Sequence, residues 1–204
     1  MRQAFTLIEL MIVIAIIAII AAIAIPNLLE SRISSNEAAA ASSLKSGIFP
    51  AQVTFQSGSY VDMGGPSTTA ANGIGDYAED LRDMAGFSDT TAGNAIPDLP
   101  LAMLPPTWNT STETNAIGPN NSSYVYVNDA NYETGFVTAC WPVDLRDSVG
   151  RRRFAVNGSG QVYATSPNSV NAAVDLTATT GTNAQPFGSS FTSSAISGWS
   201  PYKR

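Results

Sequence analysis

Apolar positions are spread along this chain in three ways, and each predicts a different element. From Phe5 to Ile25 they are nearly continuous, and Glu9 is the only charged side chain in the run. About 21 residues at ~1.5 Å rise each suffice to cross the hydrocarbon core of a bilayer as a helix. A lone carboxylate in such a segment costs roughly 2.5–3.5 kcal/mol at the bilayer centre, so Glu9 needs a partner and marks a functional position. Beyond Pro26, Leu29, Ile33, Ala41, Leu44, Ile48, Ala51 and Phe55 recur at spacings near three and four, while Glu30, Arg32, Glu37 and Lys45 fall mostly off that stripe. This predicts an amphipathic continuation of the helix over residues 26–57. Pro26 predicts a kink or local melting where the apolar run ends, Pro50 a kink or an end, and Ser57-Gly58 the stop.

The third pattern is short and β-like. Ser123–Val127 and Gly135–Val143 read as strands. Arg153–Val156 and Gln161–Ala164, joined by Asn157-Gly158-Ser159-Gly160, read as a hairpin. Residues 123–164 therefore predict an antiparallel sheet, apolar on one face, with the helix stripe as its partner. Residues 58–122 are rich in Gly, Pro, Ser, Thr and Asn and read as a long irregular connecting loop with one short helix near Tyr77–Ala85. Residues 165–204 form a Ser/Thr-rich C-terminal region without an assigned element, with Trp199 and Tyr202 among its anchors. The fold class is α+β: a long bent N-terminal helix packed on a small antiparallel sheet.

Composition narrows the function. The chain has 204 residues, enough beyond its apolar helix for one domain with a modest core. A net charge of −6 supplies no overall basic field, so no nucleic-acid partner is expected. With no histidine, the commonest general base and transition-metal ligand are missing. No nucleophile–base constellation stands out either, so the chain reads as no enzyme. Its single cysteine, Cys140, has no internal disulfide partner and sits in the apolar run Phe136–Val143, as a buried small hydrophobe would. Arg151-Arg152-Arg153 is the dense basic run; it reads as a solvated face, or as a contact to phosphates or to acids on a neighbouring molecule. No aromatic lies between Phe5 and Phe49, so Phe49 and Phe55 read as helix-to-sheet core. The Asn-x-Ser/Thr sites at Asn109, Asn120, Asn121 and Asn157 are of a kind that arises by chance in such a composition.

The leader Met1-Arg2-Gln3-Ala4, the motif Phe5-Thr6-Leu7-Ile8-Glu9-Leu10, the segment Ile25-Pro26-Asn27-Leu28-Leu29 and the helical stretch to Gln56 resemble the type IV pilin superfamily, which includes pilins and the pseudopilins of type II secretion. The resemblance is specific to about residue 56 and loose beyond it. It implies that residues 1–4 are a leader, cut between Ala4 and Phe5 by a prepilin peptidase that methylates the new Phe5 amine. The leader ends in Ala4 where the family usually has Gly. Residues 5–25 would then be a single inner-membrane pass before assembly and fibre core afterwards, in an extracellular pilus. Glu9 would pair with the Phe5 amine of a neighbouring copy, and Pro26 would allow unwinding as subunits leave the bilayer. The implied partners are copies of the chain itself in a helical homopolymer, the peptidase, the membrane and the inner-membrane pilus assembly machinery.

Two alternatives stand beside a pilin of motility, adhesion, uptake or electron transfer. A secretion-system pseudopilin would form a short periplasmic pseudopilus. An ordinary signal peptide would use Arg2 as its basic region, Leu10–Ile20 as its apolar core and Ala22-Ile23-Ala24 as its cleavage site, although Glu9 has no task there. Asp129, Asn131 and Glu133 alternate as oxygen ligands of a calcium loop do, and major pseudopilins carry a calcium site in their C-terminal region. A polar turn between two strands explains the same residues, and an EF-hand's glycine and closing glutamate are absent. No other cofactor is expected.

Overall fold

The computed structural model describes residues 5–60, 73–78, 81–85, 102–105, 108, 123–131, 135–143, 149–165, 167 and 199–203. The expected N-terminal helix is present in one uninterrupted path: α1 (Leu7–Ser42), a π turn (Ser43–Ile48) and α2 (Phe49–Ser57). α1 runs through Pro26 without a break, so the local melting anticipated there is absent from this state. A proline inside a helix removes one backbone hydrogen bond, and the flanking turns hold the path. At Pro50 the helix neither ends nor changes course into a loop. It widens just upstream, where the Phe49 N–H reaches back to the Leu44 carbonyl, and Pro50 then falls in the first turn of α2. A first-turn residue needs no intrahelical donor, so the ring is accommodated there.

The helix buries Ile33, Ala41, Leu44, Ile48, Ala51 and Phe55, the predicted stripe from Ile33 onward, and with them Ala40 and Gln52, which the stripe did not include. Leu29 is exposed instead. The sheet is an antiparallel meander of β1 (Tyr124–Asn131), β2 (Gly135–Pro142), β3 (Phe154–Asn157), β4 (Val162–Ala164) and β5 (Ser200–Pro201), in that spatial order. Tyr124, Tyr126, Phe136, Cys140, Phe154, Val156, Val162 and Ala164 form one core with Leu44, Ile48 and Phe55 of the helix. Rings meet across it, Phe49 and Tyr77 on Phe136 and Tyr124 and Tyr202 on Phe154.

Four expectations change. β1 continues past Val127 to Asn131, paired with Thr138 at Asn128 and with Gly135 at Asn131. The sheet is not apolar on one face only: Val137, Ala139 and Ala155 form a second buried cluster with Trp199. Where both faces are covered, a strand is apolar without alternation, as β2 is. β5 comes from the unassigned C-terminal region, held by Tyr202 N–H on the Val162 carbonyl at 2.8 Å and by the Tyr202 ring against Phe154. The short helix, α3, spans Leu81–Met84 alone, and residues 74–78 are non-helical. The rest of the loop expected over 58–122, most of the region 165–204, and Asn109, Asn120 and Asn121 lie outside the described residues.

The β3–β4 turn forms as its sequence predicts. Gly160 donates to the Asn157 carbonyl at 2.9 Å and adopts φ 72°, which favours glycine. A Cβ there would stand 2.9 Å from Phe49 Cζ. Gly160→Ala is expected to lower stability by about 1–3 kcal/mol, read by thermal unfolding. An unchanged midpoint would show that neither the backbone conformation nor the Phe49 contact matters.

Candidate functional site

The tip of the helix is capped by its own acid. Thr6 N–H and Thr6 Oγ1 donate to Glu9 Oε2 at 2.9 and 2.7 Å, and Glu9 N–H donates to Thr6 Oγ1 at 3.3 Å. This is a reciprocal capping box, which satisfies amides that a helix start leaves open and sets a negative charge at its positive end. Glu9 therefore has a local partner that the sequence analysis missed. The signal was present as the T-x-x-E spacing of Thr6-Leu7-Ile8-Glu9. Glu9 and Phe5 are both exposed, Pro26 lies within α1, and Ala4 lies outside the described residues. The most apolar 18-residue window of the helix buries nothing against the domain.

The lower half of the helix is fastened to the domain by polar contacts. Asn36 Nδ2 donates to the Val149 carbonyl at 2.9 Å, and Arg151 N–H to Glu37 Oε1 at 2.9 Å. Arg151 Nη1 meets Glu30 Oε1 at 2.8 Å, and Arg152 Nε stands 3.9 Å from Glu37 Oε2. The basic run is thus neither a purely solvated face nor reserved for another molecule. Arg151 and Arg152 pair with acids of the same chain that lie 121 and 115 positions away, by Arg151 minus Glu30 and Arg152 minus Glu37. With Ser31, Ser34, Ser35 and Tyr202, these four side chains line an open groove of about 800 Å³.

A buried polar relay fixes the upper half. Gln52 is fully buried; its Nε2 donates to the Ala78 carbonyl and its Oε1 accepts the Ala78 N–H, both at 2.9 Å. Asn128 Nδ2 donates to the same carbonyl at 2.7 Å, and Thr138 Oγ1 donates to Asn128 Oδ1. Helix, loop, β1 and β2 are thereby tied through the backbone of one residue, Ala78. Sequence reasoning missed Gln52 as well. Its signal is a polar residue four after Ile48 and three before Phe55, on the apolar stripe itself.

The remaining candidates separate. Asp129 and Asn131 are ladder residues of β1 opposite Val137 and Gly135, not members of a turn, and Glu133 lies outside the described residues. Among the described residues no three His, Cys, Asp or Glu groups converge on one point. Cys140 is completely buried, and burial pushes its thiol up, which keeps it protonated and unreactive.

A bare apolar stem tipped by one capped acid, continuous with a helix that lies on a small antiparallel sheet, defines a pilin-like α+β subunit whose stem fits insertion in a membrane. The family comparison agrees: residues 1–25 match the prokaryotic N-terminal methylation motif, the prepilin-type leader of type IV pilins and pseudopilins. No curated protein and no solved structure matches the chain. The motif points to a structural subunit, matured by prepilin peptidase and handled by an assembly machinery of that general kind.

Proposed function

We propose that the chain is a pilin, polymerising through α1 into a type IV pilus-like filament that leaves the inner membrane for the cell exterior. The observation that carries this reading is the stem that its own domain leaves uncovered, with Glu9 as its one charge. Hydrocarbon tails cover that stem as well as neighbouring helices do, so the exchange of lipid for a helical bundle is driven by packing and polar pairing rather than by dehydration. Glu9 supplies the pairing: cleavage before Phe5 creates a cationic amine about one helical turn away, and the amine of one copy neutralises the acid of the next. That pair fixes the stagger. The sheet, fastened by Arg151, Arg152 and the Gln52 relay, faces outward.

The test is electron microscopy of sheared surface fibres, with mass spectrometry of their N-terminus. Fibres whose subunits begin with N-methylated Phe5 support the reading. Filaments confined to the periplasm would move it to a type II secretion pseudopilin, and a soluble monomer beginning near Ile25 would replace it with a signal peptide.

A further inference from the structure

We propose that the groove between α1 and residues 149–152 holds a phospholipid head group bearing a primary ammonium while the protein is in the membrane. This rests on the reading of α1 as the membrane anchor. The 22 steps from Leu7 to Leu29 at ~1.5 Å each span about 33 Å, close to the ~30 Å hydrocarbon core. With Leu7 at one boundary, the exposed Leu28 and Leu29 reach the other, and Glu30 and Arg151 fall in the head-group layer.

The groove carries four charges, acids on one wall and arginines on the other. Glu30 and Glu37 come from α1, and Arg151 and Arg152 from the domain. Three of the four side chains stay accessible, Glu30 at 64%, Arg151 at 32% and Arg152 at 37%, while Glu37 is mostly buried at 13%. A phosphodiester fits the guanidinium groups, which hold phosphates through paired N–H donors. A phosphate drawing Arg151 would leave Glu30 without its cation. A primary ammonium on the same head group replaces that cation with three N–H donors, whereas a quaternary ammonium has none. Ser31, Ser34 and Ser35 add hydroxyls to the same wall. Tyr202 also lines the groove, and tyrosine is the kind of side chain that settles at a membrane interface. In this arrangement the domain rests on the membrane by its groove, and extraction of a subunit returns Arg151 to Glu30.

The full chain, reconstituted in nanodiscs of equal parts phosphatidylethanolamine, phosphatidylcholine and phosphatidylglycerol, is released into a native mass spectrometer and its retained lipids are counted. Phosphatidylethanolamine should be retained over phosphatidylcholine by roughly fivefold, the factor that one exposed ion pair, here ammonium to Glu30, contributes at about 1 kcal/mol. Arg151→Gln with Arg152→Gln should weaken retention of all three lipids, because each carries the phosphate, and Glu30→Gln should abolish the preference for phosphatidylethanolamine and shift it toward phosphatidylglycerol. Thermal unfolding confirms that each variant is folded. Equal retention of the three lipids, or a wild-type preference for phosphatidylglycerol, overturns the proposal. So does displacement of the lipid by millimolar O-phosphoethanolamine, which would make the groove a site for a soluble ligand. Resistance to alkaline extraction is scored on the same preparation. A chain that stays in the membrane without lipid preference sinks this inference alone, and a chain that is washed out sinks the anchor reading with it.

Discussion

Glu9→Ala is expected to leave the chain in the membrane and to remove most of its fibres, by tenfold or more as an order of magnitude if one buried charge pair is lost. Insertion should be unimpaired, because Glu9 lies two residues from Leu7 at the membrane boundary, where a carboxylate costs less than the roughly 2.5–3.5 kcal/mol of the bilayer centre. Assembly should fail, because an amine left buried and unpaired between helices costs about 3–5 kcal/mol at each contact. The capping box complicates this test, since the same carboxylate accepts from Thr6 at 2.9 and 2.7 Å. Losing a cap costs only about 1 kcal/mol, as fraying of the first turn. Two further variants separate the effects. Glu9→Gln keeps an oxygen acceptor for the Thr6 amide but no charge, and should assemble as poorly as Glu9→Ala. Thr6→Ala keeps the charge while losing the hydroxyl, and should assemble nearly as well as the parent. If Glu9→Gln made fibres in parental yield, by quantified shearing and immunoblot, charge pairing would be excluded as the cause of stagger.

Gln52→Ala is expected to destabilise the folded domain by about 2–4 kcal/mol, the sum of an abandoned buried amide and a partly collapsed cavity. For a domain of this size that is roughly a 5–15 °C fall in Tm, read by circular dichroism of the full chain in detergent. The cost is high because both partners, the N–H and C=O of Ala78, belong to a residue nearly as buried as Gln52 itself. Gln52→Met fills the space and still leaves the Ala78 amide without its acceptor, so it should recover only the cavity part. Gln52→Glu gives a pH signature. The new carboxyl would sit in a dry site, where burial raises its folded pKa above the unfolded value of ~4.3. The folded chain then holds the proton more tightly than the unfolded one. Stability is retained below about pH 4 and declines as pH rises through the folded pKa. A pH-independent loss for Gln52→Glu would place water at the site and refute the sealed relay.

The parts legible in sequence were those written in local periodicity. The apolar run, the stripe from Ile33 to Phe55 and the hairpin around Asn157–Gly160 each carry their period in a few adjacent residues. The end of β1 was hidden because Asn128, Asp129, Ala130 and Asn131 are poor strand formers. Pairing to β2 overrides that weakness, and Asn128 is spent on Ala78 and Thr138. The two-residue β5 has no periodicity to read. Arg151 and Arg152 looked like a surface run because their acids, Glu30 and Glu37, lie more than a hundred residues upstream. Glu9 stands out in sequence as the one charge of the apolar run, and its capping box is written in the same few residues as the Thr6-to-Glu9 spacing.

One consequence follows from how the sheet ends. Among the described residues its outermost strand on the C-terminal side is Ser200–Pro201, both exposed. Pro201 has no N–H to offer, and two residues make too short a template for another chain to line up on. A two-residue edge that ends in proline offers little to edge-to-edge stacking of the amyloid kind. If copies are concentrated along a filament, as proposed, such an edge steers them away from cross-β aggregation on that side and leaves their association to the greasy stem.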